Sequence, residues 1–106
     1  RGYDHCFCVR GYEAGAAPRH AMRLEDPESG RSLDILITMP GAHLYTGNWC
    51  DDAEGVKDGA SYHPRDGVAF EPEFYPDFPH HPEWDQPVCE PGRPYDQTIV
   101  YRFSTI

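Results

Sequence analysis

Positive charge is the scarcest property of this 106-residue chain: 9 Lys+Arg stand against 18 Asp+Glu, a formal net charge of −9. No basic cluster interrupts the acidity. A phosphate backbone is repelled on balance, which sets aside nucleic acid and anionic membrane surfaces as partners. Long apolar runs are missing too, and none approaches the roughly 20 residues of a membrane span. The four cysteines, Cys6, Cys8, Cys50 and Cys89, contain no C-x-x-C pair. Cys6 and Cys8 fall on one face of a strand, too little for a zinc site, and all four read as small buried or half-buried thiols. No useful length of helical period, internal repeat or low-complexity tract is found. The chain opens Arg1-Gly2-Tyr3, without a methionine or a signal-peptide pattern, so it is expected to be part of a longer protein.

What remains is a set of short alternating runs, punctuated by 11 Pro and 10 Gly. Residues 20–25 and 32–38 flank the turn-rich Asp26-Pro27-Glu28-Ser29-Gly30, which predicts a β-hairpin with a five-residue loop. Leu33, Ile35 and Ile37 share one strand face by the period of two. Leu36 breaks the polar character of the other face, so this strand is expected to be buried on both sides. Further strands are predicted over residues 42–46, 68–71 and 95–104, with a surface loop at 50–67 and an irregular, proline-pinned segment at 72–91. The class is mainly β. Six or so strands with long loops make little more than one sheet, and one sheet cannot cover both its faces. The chain is therefore expected to be a piece of a larger antiparallel β-sandwich or to need a partner.

The densest chemistry lies in GVAFEPEFYPDFPHHPEW, residues 67–84. Glu71 follows three apolar residues at a strand end, where partial burial would suit proton transfer. Glu73 lies two residues on and shares its face. Pro72 between them lacks an N–H and belongs at a sheet edge or bulge. Phe74, Tyr75, Phe78 and Trp84 could wall a ligand site, and are read chiefly as a plug closing the end of the sandwich. His80-His81 between prolines lacks the further ligands that a metal site requires, so no metal is expected.

Five blocks, in order along the chain, resemble the C-terminal part of the galactose mutarotase (aldose 1-epimerase) family. Gly2-Tyr3-Asp4-His5-Cys6-Phe7 is similar to the family's G-x-D-H-x-F. Pro27 to Ile35 is similar to its hairpin, a small residue and Ser-Gly-Arg before an apolar strand. Pro40-Gly41-Ala42-His43-Leu44-Tyr45-Thr46-Gly47-Asn48 is similar to P-G-x-Q-x-Y-T-G-N. Phe70-Glu71-Pro72-Glu73, with Pro76-Asp77 and His81-Pro82, is similar to L-E-T-Q-x-x-P-D-x-x-N-x-P. Pro91-Gly92, Tyr95 and the run Thr98 to Phe103 match its last strand.

The resemblance implies a large β-sandwich of twisted antiparallel sheets, the galactose mutarotase-like supersandwich. Residues 1–106 would be the C-terminal portion of one domain whose N-terminal portion is absent. It implies interconversion of the α and β anomers of a free hexose such as galactose or glucose by acid–base ring opening, with no cofactor. Glu71 stands at the position of the catalytic base. Asp4 and His43 stand at sugar-binding positions, His43 where the family commonly has Gln. His5, next to Asp4 on a strand, is expected to point away and pack. The family's acid, a histidine, lies in the N-terminal part, so this chain alone should be inactive without that part or a partner chain. Pro72, Glu73 and Met39 also depart from the family pattern. Rival readings are a non-catalytic carbohydrate-binding or structural member of the same fold, an epimerase-like relative for phosphorylated sugars, and a glycosidase. Scattered Arg65, Arg93 and Arg102 disfavour the phosphosugar. Two carboxylates on one side of the substrate disfavour a hydrolase, whose acids flank the bond. A cytoplasmic location fits the family and the unpaired cysteines.

Overall fold

The computed structural model describes residues 2–50 and 57–106. Among them run six strands: β1 (Asp4–Cys8), β2 (Arg19–Asp26), β3 (Arg31–Ile37), β4 (Gly41–Tyr45), β5 (Ala69–Glu73) and β6 (Ile99–Thr105). They form two antiparallel three-stranded sheets, ordered β1-β4-β5 and β2-β3-β6. The mainly β, sandwich-like class expected from the sequence is what is found.

The β2–β3 hairpin is tighter than predicted, with strands running to Asp26 and Arg31, which pair directly. Asp26 makes the turn possible. Its carboxylate accepts the Glu28 N–H at 3.2 Å and the Ser29 N–H at 3.3 Å, satisfying amides that the ladder cannot reach. Gly30 then adopts φ +71°, a left-handed conformation that costs glycine little. β2 carries a bulge between His20 and Met22. It aligns Met22 and Leu24 with Ile35 and Leu33 and leaves Arg23 and Glu25 on the polar face.

β3 is the central strand of its sheet and is largely buried on both faces: Ile35 and Ile37 on one, Ser32 and Asp34 on the other. The core gathers Ile35, Ile37, Met39 and Ala42, with Phe70, Met22 and Val9 packed against it. Met39 is thus a core residue. Ala42 and Phe70 come from the inner face of the β1-β4-β5 sheet, so one core joins both sheets. Their junction is tied by Arg19, whose guanidinium donates to the carbonyls of Arg10, Ile37, Met39, Val9 and Pro40 at 2.9–3.5 Å. Those carbonyls lie where the chain leaves one sheet for the other, and a five-donor fork can serve several of them at once.

The last strand starts later than predicted, at Ile99 instead of residue 95. Pro94 lacks an N–H, and the approach is held by a side chain: Thr38 Oγ1 donates to Gln97 Oε1 at 2.8 Å and accepts the Thr98 N–H at 2.9 Å. Of the predicted surface loop, residues 51–56 lie outside the described residues. Residues 57–67 are exposed and include a short 3-10 turn, Lys57–Gly59.

Candidate active site

In an antiparallel sheet, residues opposite each other share a face. Register therefore decides what the outer face of the β1-β4-β5 sheet presents. His43 pairs with Cys6 on one side and Glu71 on the other; Gly41 pairs with Cys8 and Glu73. Asp4, Cys6, His43, Glu71 and Glu73 thus point away from the core together. His5 and Phe7 alternate to the inner face, as the position of His5 beside Asp4 predicted. The expected packing is not found there: His5 stays exposed and meets the ring of Tyr3 edge-on at 6.1 Å.

His43 occupies the centre. Its Nε2 lies 2.7 Å from Asp4 Oδ1, and its Nδ1 lies 3.6 Å from Glu73 Oε1. An ionised carboxylate only accepts hydrogen bonds, so Nε2 carries the proton toward Asp4. The Asp4 hydrogen bond, then the charges of Glu73, Asp4 and Glu71, raise the His43 pKa above the ordinary imidazole value, against a smaller effect of burial. Glu73 Oε1 is shielded from solvent and has no hydrogen-bond partner among the described residues. Burial and the neighbouring Glu73 carboxylate push the Cys6 thiol up to about 11. Cys6 is thus a protonated, inert thiol at neutral pH.

Glu71 is exposed, contrary to the partial burial expected from the apolar run before it. The run turns out to alternate. Phe70 enters the core while Glu71, directly opposite His43, faces outward on β5, an edge strand in which Pro72 also sits. The site is an open sheet face: the Asp4 side chain is 57% exposed and that of His43 28%. Nothing in the described chain excludes water from it.

The loop after β5 divides its aromatics between the two faces. Phe74 packs on the core and against Tyr12 and Tyr95, as a plug should. Tyr75 lies over Gly41, where an added Cβ would come within 3.0 Å of its ring. Trp84 meets Tyr75 edge-on at 5.5 Å and stacks on His81 at 3.9 Å. Gln86 holds this loop, its amide donating to the carbonyls of Phe78, His81 and Trp84 at 2.9–3.0 Å. His80 and His81 pair with Asp77 and Glu83. Among the described residues no group of three or more His, Cys, Asp and Glu side chains is arranged to hold a metal ion.

The Thr46-Gly47-Asn48 block anchors the site's first strand. Thr46 Oγ1 accepts the Tyr3 N–H at 2.8 Å, and Asn48 Nδ2 donates to the Tyr3 carbonyl at 2.8 Å. A Cβ on Gly2 would meet Thr46 Oγ1 at 2.0 Å, so only glycine admits this clamp. Asp4 is the next residue. Neither this clamp nor Gln86 was singled out from the sequence, since each acts through backbone groups that only the folded chain brings near.

These blocks coincide with a known family. The aldose 1-epimerase family model matches residues 1–102. The chain belongs to the aldose 1-epimerase family. Bovine galactose mutarotase is 35% identical over 103 residues, covering 97% of this chain and 29% of the bovine protein. Human galactose mutarotase is 35% identical over 104 residues, with the same coverage. Aldose 1-epimerase of Escherichia coli K12 is 33% identical over 107 residues, covering 97% of this chain and 30% of the enzyme. The match falls on the C-terminal part of these relatives, and the chain spans under a third of their length. Within the aldose 1-epimerases, then, the outer face described here belongs to an isomerase family whose named members act on aldoses. Among the described residues no helix is long and apolar enough to cross a membrane.

Proposed function

We propose that this chain is the base-bearing, C-terminal portion of an aldose 1-epimerase domain that interconverts the α and β anomers of a free hexose such as galactose or glucose. Ring opening removes the proton of the C1 hydroxyl and delivers one to the ring oxygen. Glu71 is the base. Asp4 accepts hydrogen bonds from sugar hydroxyls, and His43 binds beside it. The acid is a histidine of the upstream part of the domain, so the chain alone is inactive. The reading is supported by one observation above all: Asp4, His43 and Glu71 come from three different strands onto one outward face in mutual register. The open face supports the need for an upstream part, since proton transfer to a sugar is favoured where water is excluded. Four free cysteines, Cys6, Cys8, Cys50 and Cys89, suit a reducing, cytoplasmic setting.

Polarimetry with fresh α-D-galactose and α-D-glucose tests this, using the chain alone and the chain complemented by the upstream part of the domain. Exchange is expected only in the complemented protein. A folded, complemented protein that binds sugar without exchanging anomers would instead identify a non-catalytic carbohydrate-binding member of the fold.

A further inference from the structure

His43 faces two carboxylates with its two ring nitrogens. Nε2 is 2.7 Å from Asp4 and Nδ1 is 3.6 Å from Glu73. A neutral imidazole has one N–H and can serve one of them; only the imidazolium can serve both. With Nε2–H committed to Asp4, a neutral ring turns a lone pair toward Glu73, whose carboxylate has the Cys6 thiol, a weak donor, beside it and whose shielded Oε1 has no hydrogen-bond partner among the described residues. A buried carboxylate oxygen in that position calls for a donor. The remaining groups on this face are Glu71 and Glu73 from β5, Cys6 and Cys8 from β1, Tyr45 on the strand of His43, and Tyr75 over Gly41. Three carboxylates thus crowd one imidazole.

We propose that His43 is a positioning residue: as a doubly protonated bridge between Asp4 and Glu73, it fixes the Asp4 carboxylate for the sugar and lets Glu71 share the face with two other anions. His43 and Glu73 then act as one unit, a charged pair standing where the family pattern has two glutamines. The substrate in this inference rests on the epimerase reading above; the bridge itself does not. The sign follows from the proton count. The bridge is complete at pH below the His43 titration and is lost as pH rises through it, since the second N–H disappears. Sugar affinity falls with it.

The test uses the complemented protein. Long-range proton–nitrogen NMR reads the protonation of both ring nitrogens of His43, and anomer exchange of α-D-galactose is followed from pH 6 to 9. In the unsubstituted protein both nitrogens carry protons at the acidic end. KM is expected to rise about tenfold as the second proton leaves, the weight of one charge-assisted hydrogen bond, with kcat moving less. His43→Gln should give a KM flat with pH. Glu73→Gln should move the imidazole titration to lower pH, and the KM profile with it. A KM profile unchanged in His43→Gln, or an Nδ1 without a proton throughout, overturns the proposal while leaving the epimerase reading intact. Absent exchange with a doubly protonated His43 that responds to Glu73→Gln upholds the bridge and removes the epimerase reading.

Discussion

Each sheet contains one histidine bonded across strands to an aspartate, and the two pairs are nearly the same length: His43–Asp4 at 2.7 Å and His20–Asp34 at 2.8 Å. Their settings are opposite. In the β2-β3-β6 sheet the aspartate is on the central strand and is the covered partner, its side chain 12% exposed against 55% for His20. In the β1-β4-β5 sheet the histidine is central and covered, 28% exposed against 57% for Asp4. A central strand is flanked on both sides, so the charge it carries decides which neighbours are needed. Asp34 has collected donors: His20, Arg23 at 3.2 Å, and Arg102 opposite it on β6. The His20 hydrogen bond, with the nearby charges of Arg23, His20 and Arg102, holds its carboxyl below the ordinary range despite burial. His43 has collected anions. The first arrangement is a satisfied structural network; the second leaves an uncovered excess of acceptors, which is what a polyhydroxylated ligand can use.

The sharpest way to separate the two faces is to remove Glu71, which is exposed and acts on His43 only through its charge. In the complemented protein Glu71→Gln is expected to lower kcat for anomer exchange about 1000-fold, the scale of a lost general base, with an unchanged denaturation midpoint. A midpoint shift comparable to that of a core variant would place Glu71 in the structure instead of the chemistry. Next in size is the core that both sheets share. Ile37 is fully buried, and Ile37→Ala is expected to cost about 3 kcal/mol in urea unfolding, weakening both sheets alike.

Smaller is the acid response of the structural pair. Asp34 titrates below its unfolded value, so its contribution is present above the ordinary carboxylate range and is lost as pH falls through the lowered value. Asp34→Asn should lower stability at neutral pH and flatten the acid limb of urea midpoints measured from pH 2 to 7. Asp4→Asn should weaken sugar binding in the complemented protein and cost less stability at neutral pH, its side chain being 57% exposed. If both substitutions cost the same stability, the contrast between the sheets fails. The smallest expected effect is at Phe103, 78% exposed on β6. Phe103→Ser should change the stability of this chain by no more than about 0.5 kcal/mol. A cost several times larger in the complemented protein would mean that another layer covers β6 there.

The sequence made much of this legible where the signal was local. Asp26-Pro27-Glu28-Ser29-Gly30 announced a hairpin because turn chemistry is written in adjacent residues. The alternation of Leu33, Ile35 and Ile37 announced the core face, and Leu36 announced a strand covered on both sides. The motif around Glu71 placed it among site residues, but its burial was misjudged, because three apolar letters do not say which of them points inward. The alternation extends the strand to residue 95 because it continues through residues outside the ladder, where Thr38 holds Gln97 and Thr98 by its hydroxyl and one backbone bond. Arg19 carried no signal at all: its five acceptors lie on segments from residue 9 to residue 40.

Composition, turn residues and the period of two were thus enough to determine a mainly β chain with an acidic surface and an apolar inner set, since each depends on neighbours within a few positions; Glu71, expected at a strand end, lies mid-strand in β5. The union of Asp4, His43, Glu71 and Glu73 was decided only by tertiary structure. β1, β4 and β5 are separated by long stretches of chain, and side-chain period alone allows each strand either face. Strand order and register, set by where Ala42 and Phe70 could be buried, turned four scattered polar residues outward onto one surface.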